Sequence, residues 1–187
     1  MNIRHIVAAA VLSLCASQAS AQELQLSHNA ASGNPKDVAS QKFAEIVEQK
    51  TNGRLKVSVG GSAQFGDDAE TITNMRLGTI AFSANSQGTT SGVVPEIALL
   101  GLPFLFQDLK QAETVMDGPV GDKIAASAEA QGLIVLSWWN NGIRQTSNSK
   151  HPILVPADLA GLKIRTPPDP MTVDIFTALG ASPTPMA

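Results

Sequence analysis

The chain has a single cysteine, no tyrosine and an aromatic content of only 4%. Cys15 lies inside an N-terminal segment that reads as a removable leader. A charged start with Arg4 leads into the apolar run IVAAAVLSLCA, and ASA at Ala19–Ala21 offers a small-residue cleavage site. The mature chain then begins near Gln22 and has no disulfide, no thiolate nucleophile and no thiolate metal ligand. Such a secreted chain depends on its apolar core for stability. The leader takes only Arg4 of the thirteen Lys and Arg, leaving twelve against all sixteen Asp and Glu, a net −4. This acidic balance, without a basic stripe, excludes a nucleic-acid partner. Beyond the leader no apolar run is long enough to cross a membrane. In VVPEIALLGLPFLF, the most apolar stretch, Pro95, Glu96 and Pro103 interrupt the pattern, which predicts core or interdomain packing.

Catalytic patterns are missing as well. There is no Gly-x-Ser-x-Gly elbow. The glycine-rich Gly60–Gly66 matches neither a dinucleotide fingerprint nor a phosphate loop and reads as a turn. His28 and His151 are far apart and without motif, and two histidines without cysteine make a poor zinc site. The expectation is therefore no enzyme, no metal and no cofactor, with a cleft that relies on polar contacts.

Strand and helix signals alternate along the chain, which predicts an α/β fold. LQLSHN, RLKVSVG, TIAFSAN, LIVLSWW, IRQTSN and LKIRT read as strands, and SPTPM as an extended segment. LIVLSWW is apolar enough to be buried on both faces, with Trp138 and Trp139 as core and interface packing. Asn34 followed by Pro35 predicts the start of a helix carrying Ala39, Phe43, Ile46 and Val47 on one side, stopped at Asn52-Gly53. Asp67 and Glu70 make a capping box for a helix closed by Gly78. Two more helices are expected over 108–116 and 119–131, a helical turn at PADLAG, and a helix capped by Asp169 with Thr172, Ile175, Phe176 and Leu179 on one side. Asn141-Gly142 marks a candidate crossing between two lobes. The unit after it has only about 45 residues, short for an independent core, so the chain reads as a fragment of a longer protein.

Two arginines share a setting. Arg144 in NNGIRQTSN and Arg165 in GLKIRTPP both lie on predicted strands beside turn residues, joined by a short connection that would bring the strands into one sheet. Two guanidiniums at adjacent strand ends would form a rigid fork for a carboxylate. A strand arginine also commonly makes a surface salt bridge, and the pattern alone leaves both readings open.

Six blocks in order, KFAEIVEQKTNGRLKVSV, GDDAETITNMRLGTI, LGLPFLFQD, NNGIRQTSNSKHPI, PADLAGLKIRTP and ALGASPTPM, resemble the DctP-type extracytoplasmic solute receptors of tripartite ATP-independent periplasmic (TRAP) transporters. The resemblance implies a two-lobed, type II periplasmic-binding-protein-like fold. Lobe I would occupy 22–141, nearly whole, and 142–187 would begin a truncated lobe II. It implies a monomeric periplasmic receptor that closes on a small organic acid and delivers it to the TRAP membrane permease. The same fold as a periplasmic ligand-sensing domain is the alternative. By the resemblance, Arg165 pairs with the ligand carboxylate, Arg144 assists from the same lobe, and Asn29 lines the cleft from the other. Members that bind sialic acid carry an asparagine shortly after the Arg-x-Pro of the main block and an acidic residue after the TIAF strand. Here Pro168 stands in the first place and Ser83, Asn85 and Ser86 in the second. The implied ligand is thus a sugar acid, hydroxy acid or dicarboxylate. Family sequences also continue past PTPM to a further ligand-contacting asparagine.

Overall fold

Alternating apolar residues in QELQLS produce strand β1 (Gln22–Ser27), whose Leu26 and Ser27 are buried. The computed structural model describes residues 21–186, so the expected leader lies outside the described residues apart from Ala21. β1 is the centre of a parallel sheet, flanked by β2 (Leu55–Gly60) and β3 (Phe82–Ser83) in the order β2-β1-β3. Its register runs from Gln22↔Leu55 to Ser27↔Gly60 on one side and pairs Leu26↔Phe82 and Ser27↔Ser83 on the other.

Parallel neighbours require crossovers, and two helices supply them. Helix α1 (Pro35–Lys50) begins at Asn34, whose side chain accepts from the Lys36 amide at 3.0 Å. It ends where Asn52 (φ 53°) and Gly53 (φ 74°) turn left-handed. Ser40, Phe43 and Val47 face inward while Ile46 is exposed, a rotation of the face expected from spacing alone. Phe43 meets Phe82 edge-on at 5.2 Å between centroids, tying the helix to β3. Helix α2 (Asp68–Arg76) starts with the expected capping box. Asp67 accepts from the Ala69 and Glu70 amides, both at 2.9 Å, and Glu70 accepts from the Asp67 amide at 3.0 Å.

After β3 the chain forms the short helix α3 (Gln87–Thr90), a 3₁₀ turn over Pro95–Gly101, and helices α4 (Leu109–Met116) and α5 (Pro119–Ala130). Val94, Ile97, Met116, Ile124, Ala128 and Leu133 close over Ile72 as the first apolar core. The long apolar stretch divides at Pro103. Val94, Ile97 and Ala98 before it are buried, whereas Phe104 takes φ 59° and is fully exposed. The second unit is a βαβ: β4 (Lys163–Thr166), α6 (Pro170–Ala178) and β5 (Ser182–Pro185), with β4 and β5 parallel from Lys163↔Ser182 to Thr166↔Pro185. Its core is Leu159, Leu162 and Ala181, packed by Ile153, Ile164, Phe176 and Leu179.

Two expected strands do not form. LIVLSWW and IRQTSN carry no ladder pairing, and Ile134, Leu136 and Ile143 are exposed. The expectation that both faces of LIVLSWW are buried therefore fails, although Leu133, Val135 and Trp138 do reach the first core. The reason is geometric. A helix satisfies its amides internally, but a strand needs a neighbouring chain to hydrogen-bond, and among the described residues none lies alongside these segments.

Gly121 shows how closely α4 and α5 meet. A Cβ there would lie 1.8 Å from the Met116 carbonyl oxygen. Alanine would gain about 1 kcal/mol in helix propensity, but the clash is with backbone and dominates. Gly121→Ala should lower stability by about 1–3 kcal/mol, read as a reduced urea midpoint; an unchanged or raised midpoint would contradict this packing.

Candidate ligand-binding site

The strand order sets the place to look. The chain leaves β1 for β2 on one side and later returns to β3 on the other, so the order reverses between β1 and β3. In open parallel sheets, ligands bind at such a switch point, outside the carboxyl ends of the strands. Beyond those ends lie Asn29 after β1 and Ala84–Ser86 after β3, with Lys36 and Asp68 in the first turns of α1 and α2.

These side chains form one polar group. Asn29 donates through Nδ2 to Asp68 Oδ2 at 3.0 Å. Lys36 Nζ reaches Asn29 Oδ1 at 3.3 Å and Ser86 Oγ at 3.4 Å. The Ser86 amide donates to Asp68 Oδ2 at 3.4 Å, Asn85 Nδ2 donates to the Asp68 carbonyl at 3.3 Å, and Ser83 donates to Asn85. Burial lowers the Lys36 pKa, with nearby Asp68 opposing it. Burial likewise raises the Asp68 pKa against the Ser86 amide and Lys36. Beside this group, His28 is 1% exposed. Its Nδ1 accepts from the Ala30 amide at 3.2 Å, and its Nε2 lies 3.3 Å from Asp37 Oδ1. A Cβ at Gly61 would lie 2.9 Å from the ring, so glycine is needed for this approach. His28 is thus a packed, oriented core residue, and His151 is exposed.

Arg165 approaches from the second unit. It points outward on β4 between half-buried Ile164 and buried Thr166, and among the described residues it makes no ion pair. The strand end behind it is anchored. The Thr166 carbonyl accepts from the Met186 amide at 2.9 Å. Pro167 is buried against Gly88, where an added Cβ would lie 3.1 Å from it. Asp169, 1% exposed, caps α6 through the Thr172 amide at 3.2 Å and accepts from Ser91 Oγ at 3.0 Å. Arg165 and the Asn29 group therefore flank the same segment, since Ser86 starts α3 and Gly88 lies within it.

Arg144 is placed differently from the expectation. β4 pairs only with β5 among the described residues, and Arg144 sits in the unpaired segment after Gly142, exposed. The two arginines are not on adjacent strands, because the pairing that would align them is not made. Asn140 Oδ1 accepts from the Gly142 amide at 2.7 Å, so NNG forms a side-chain-closed turn, with Gly142 at φ 88°. A concavity of about 500 Å³ is lined by Thr146–Ile153 and contains neither Arg165 nor Asn29. It is a fold of consecutive loop residues that includes none of the polar group.

Sequence reasoning missed Lys36, Asp68 and the Ser91–Asp169 contact. One signal was available for Lys36. A cation in the first turn of a helix opposes the helix dipole, which asks for a reason beyond helix stability.

The fold is the mixed α/β fold of TRAP periplasmic solute-binding protein structures. Residues 26–187 match the model of the bacterial extracellular solute-binding protein family 7, DctP, and the chain belongs to that family. It is 38% identical over 170 residues to the 2,3-diketo-L-gulonate-binding periplasmic protein of Escherichia coli, covering 91% of this chain and 52% of that protein. A TRAP periplasmic solute-binding protein from Polaromonas sp., solved bound to D-erythronate, superposes with a TM-score of 0.85 at 36% identity, over 89% of this chain and 55% of that one. Another from Sulfurospirillum deleyianum, with bound succinate, gives 0.84 at 31% identity, over 88% and 53%. The chain spans between a third and about half the length of the curated relatives it matches first.

Replacing Asp169 with alanine should cost about 1.5–3 kcal/mol, because it removes a charged acceptor shared by Ser91 and Thr172. Denaturant titration measures it, and a loss under about 0.5 kcal/mol would show that the contact does not hold the two units together.

Proposed function

We propose that this chain is the ligand-capturing part of a periplasmic TRAP receptor that binds a small organic acid and delivers it to a membrane permease. Residues 22–141 act as lobe I and residues 142–187 begin lobe II, a division supported by the two separate apolar cores. The observation that carries the reading is Arg165, an outward-facing residue that makes no ion pair among the described residues, on a strand end fastened to the segment that leaves the switch point.

The chemistry follows from hydration. A carboxylate entering a cleft loses water contacts, and a planar guanidinium restores two of them as parallel, charge-assisted hydrogen bonds. Lysine offers a point charge without that fork. Buried Pro167 and the Asp169 cap limit backbone motion behind Arg165, so little ordering is needed on binding. Arg144 assists from the same lobe and Asn29 faces the ligand from the other. Closure of lobe II then excludes water and strengthens these bonds. The charge state fits an acid carrier, since the ligand brings the negative charge that Arg165 lacks within the protein.

In the complete receptor, Arg165→Lys should cost about 2–5 kcal/mol of binding free energy, measured by calorimetry with the preferred acid, and Arg144→Ala should cost less. Near-wild-type affinity after Arg165→Lys would refute the anchor. A larger loss from Arg144→Ala would reverse the two roles.

A further inference from the structure

His28 is held at the end of β1 by its backbone and by both edges of its ring. Its amide donates to the Gly60 carbonyl and its carbonyl accepts from the Ala63 amide, both at 3.1 Å, which ties it to the turn over 60–66. That turn is strained, with Ser62 at φ 53° and Ala63 at φ 58°, and the Ser62 amide donates to the Ala30 carbonyl at 2.9 Å. The His28 side chain reaches across Asn29. Nδ1 accepts from the Ala30 amide, two residues on, in the pattern an asparagine uses to close a turn on its own backbone. Asn29 therefore sits inside a short turn fixed on one side by the imidazole and on the other by the strained loop.

The other edge of the ring faces α1. Nε2 is buried without a well-aligned hydrogen bond among the described residues, 3.3 Å from Asp37 Oδ1. Asp37 Oδ2 accepts from the Gly33 amide at 2.9 Å, and this bond, with help from Gln41 and His28, holds the carboxyl below the usual carboxylate range. One imidazole thus bridges the strand end that carries Asn29 and the helix turn that carries Lys36.

A ring nitrogen accepts a hydrogen bond only while it carries no proton. A proton on Nδ1 would set N–H against N–H at Ala30 and cancel the turn, while the charged ring would gain an ion pair with Asp37. Asp37 from α1 and Asp68 from α2 act on the ring as anions. Lys36 of α1 is occupied by Asn29 and Ser86, Lys56 of β2 is engaged with Glu48, and neither the turn over 60–66 nor β3 brings a titratable side chain.

We infer that His28 is a proton-sensitive positioning residue: its unprotonated ring holds Asn29 and the start of α1 ready for ligand, and protonation releases the turn, so that affinity falls in acid. The inference rests on the receptor reading above and adds regulation to it.

Two substitutions separate the bond made by the ring from its bulk. His28→Asn keeps an acceptor for the Ala30 amide and does not titrate, whereas His28→Gln carries its amide one methylene too far to close the same turn. Calorimetry on the complete receptor uses whichever binds tightest of D-erythronate, D-galacturonate and succinate, the acids bound in solved relatives. At about pH 7.5, His28→Gln should weaken that acid about fivefold or more and His28→Asn by no more than about twofold. Between about pH 7.5 and about pH 5.5, the unsubstituted receptor should lose about threefold or more affinity beyond what His28→Asn loses. Both proteins keep Asp68 and Arg165, so the difference belongs to the ring. Asp37→Asn retains an acceptor for Gly33 without the charge that favours a protonated ring, and it should move the acid loss to lower pH; this variant decides if those at His28 do not fold. Equal weakening by asparagine and glutamine at position 28, parallel pH profiles for the receptor and His28→Asn, or an unshifted Asp37→Asn profile overturns the inference. The receptor reading then stands if Arg165→Lys still weakens binding. If none of the three acids binds, both readings fall.

Discussion

The buried carboxylate of Asp169 is the contact on which the geometry of the site depends. It accepts from Thr172 in its own helix and from Ser91 in the other unit, and with Pro167 against Gly88 it seats the end of β4 on the segment leaving the first sheet. An acid at 1% exposure is tolerated only if its oxygens are occupied by donors. Satisfying it therefore ties the start of α6 to the segment that leaves the first sheet.

Two kinds of electrostatics then share one region. Arg165 is a full, unopposed charge that faces outward and gains from an anionic partner. Asp68 is buried and Lys36 half-buried, and each opposes the pKa shift that burial imposes on the other. The first arrangement rewards charge, and the second rewards hydrogen-bonding capacity at low net charge.

Most helices and their limits were legible in the sequence. Asn34, the Asp67–Glu70 box and Asp169 each cap the helix expected of them, because capping is settled within four residues. β1, β2 and β4 were legible by alternation, and the family by ordered blocks that the match over residues 26–187 confirms. LIVLSWW and IRQTSN misled for the opposite reason. The apolar pattern of LIVLSWW describes a surface that wants a neighbour, and neither pattern supplies one. With them went the expected pairing of the Arg144 and Arg165 strands.

Sequence by itself determined what short range can determine: most of the elements, their caps and the ordered blocks that mark the family. Tertiary structure alone decided that Lys36 meets Ser86, fifty positions away, and that Ser91 meets Asp169, seventy-eight away. No local propensity encodes such contacts. They follow from the order in which parallel strands assemble and from the requirement that every buried charge find its donors.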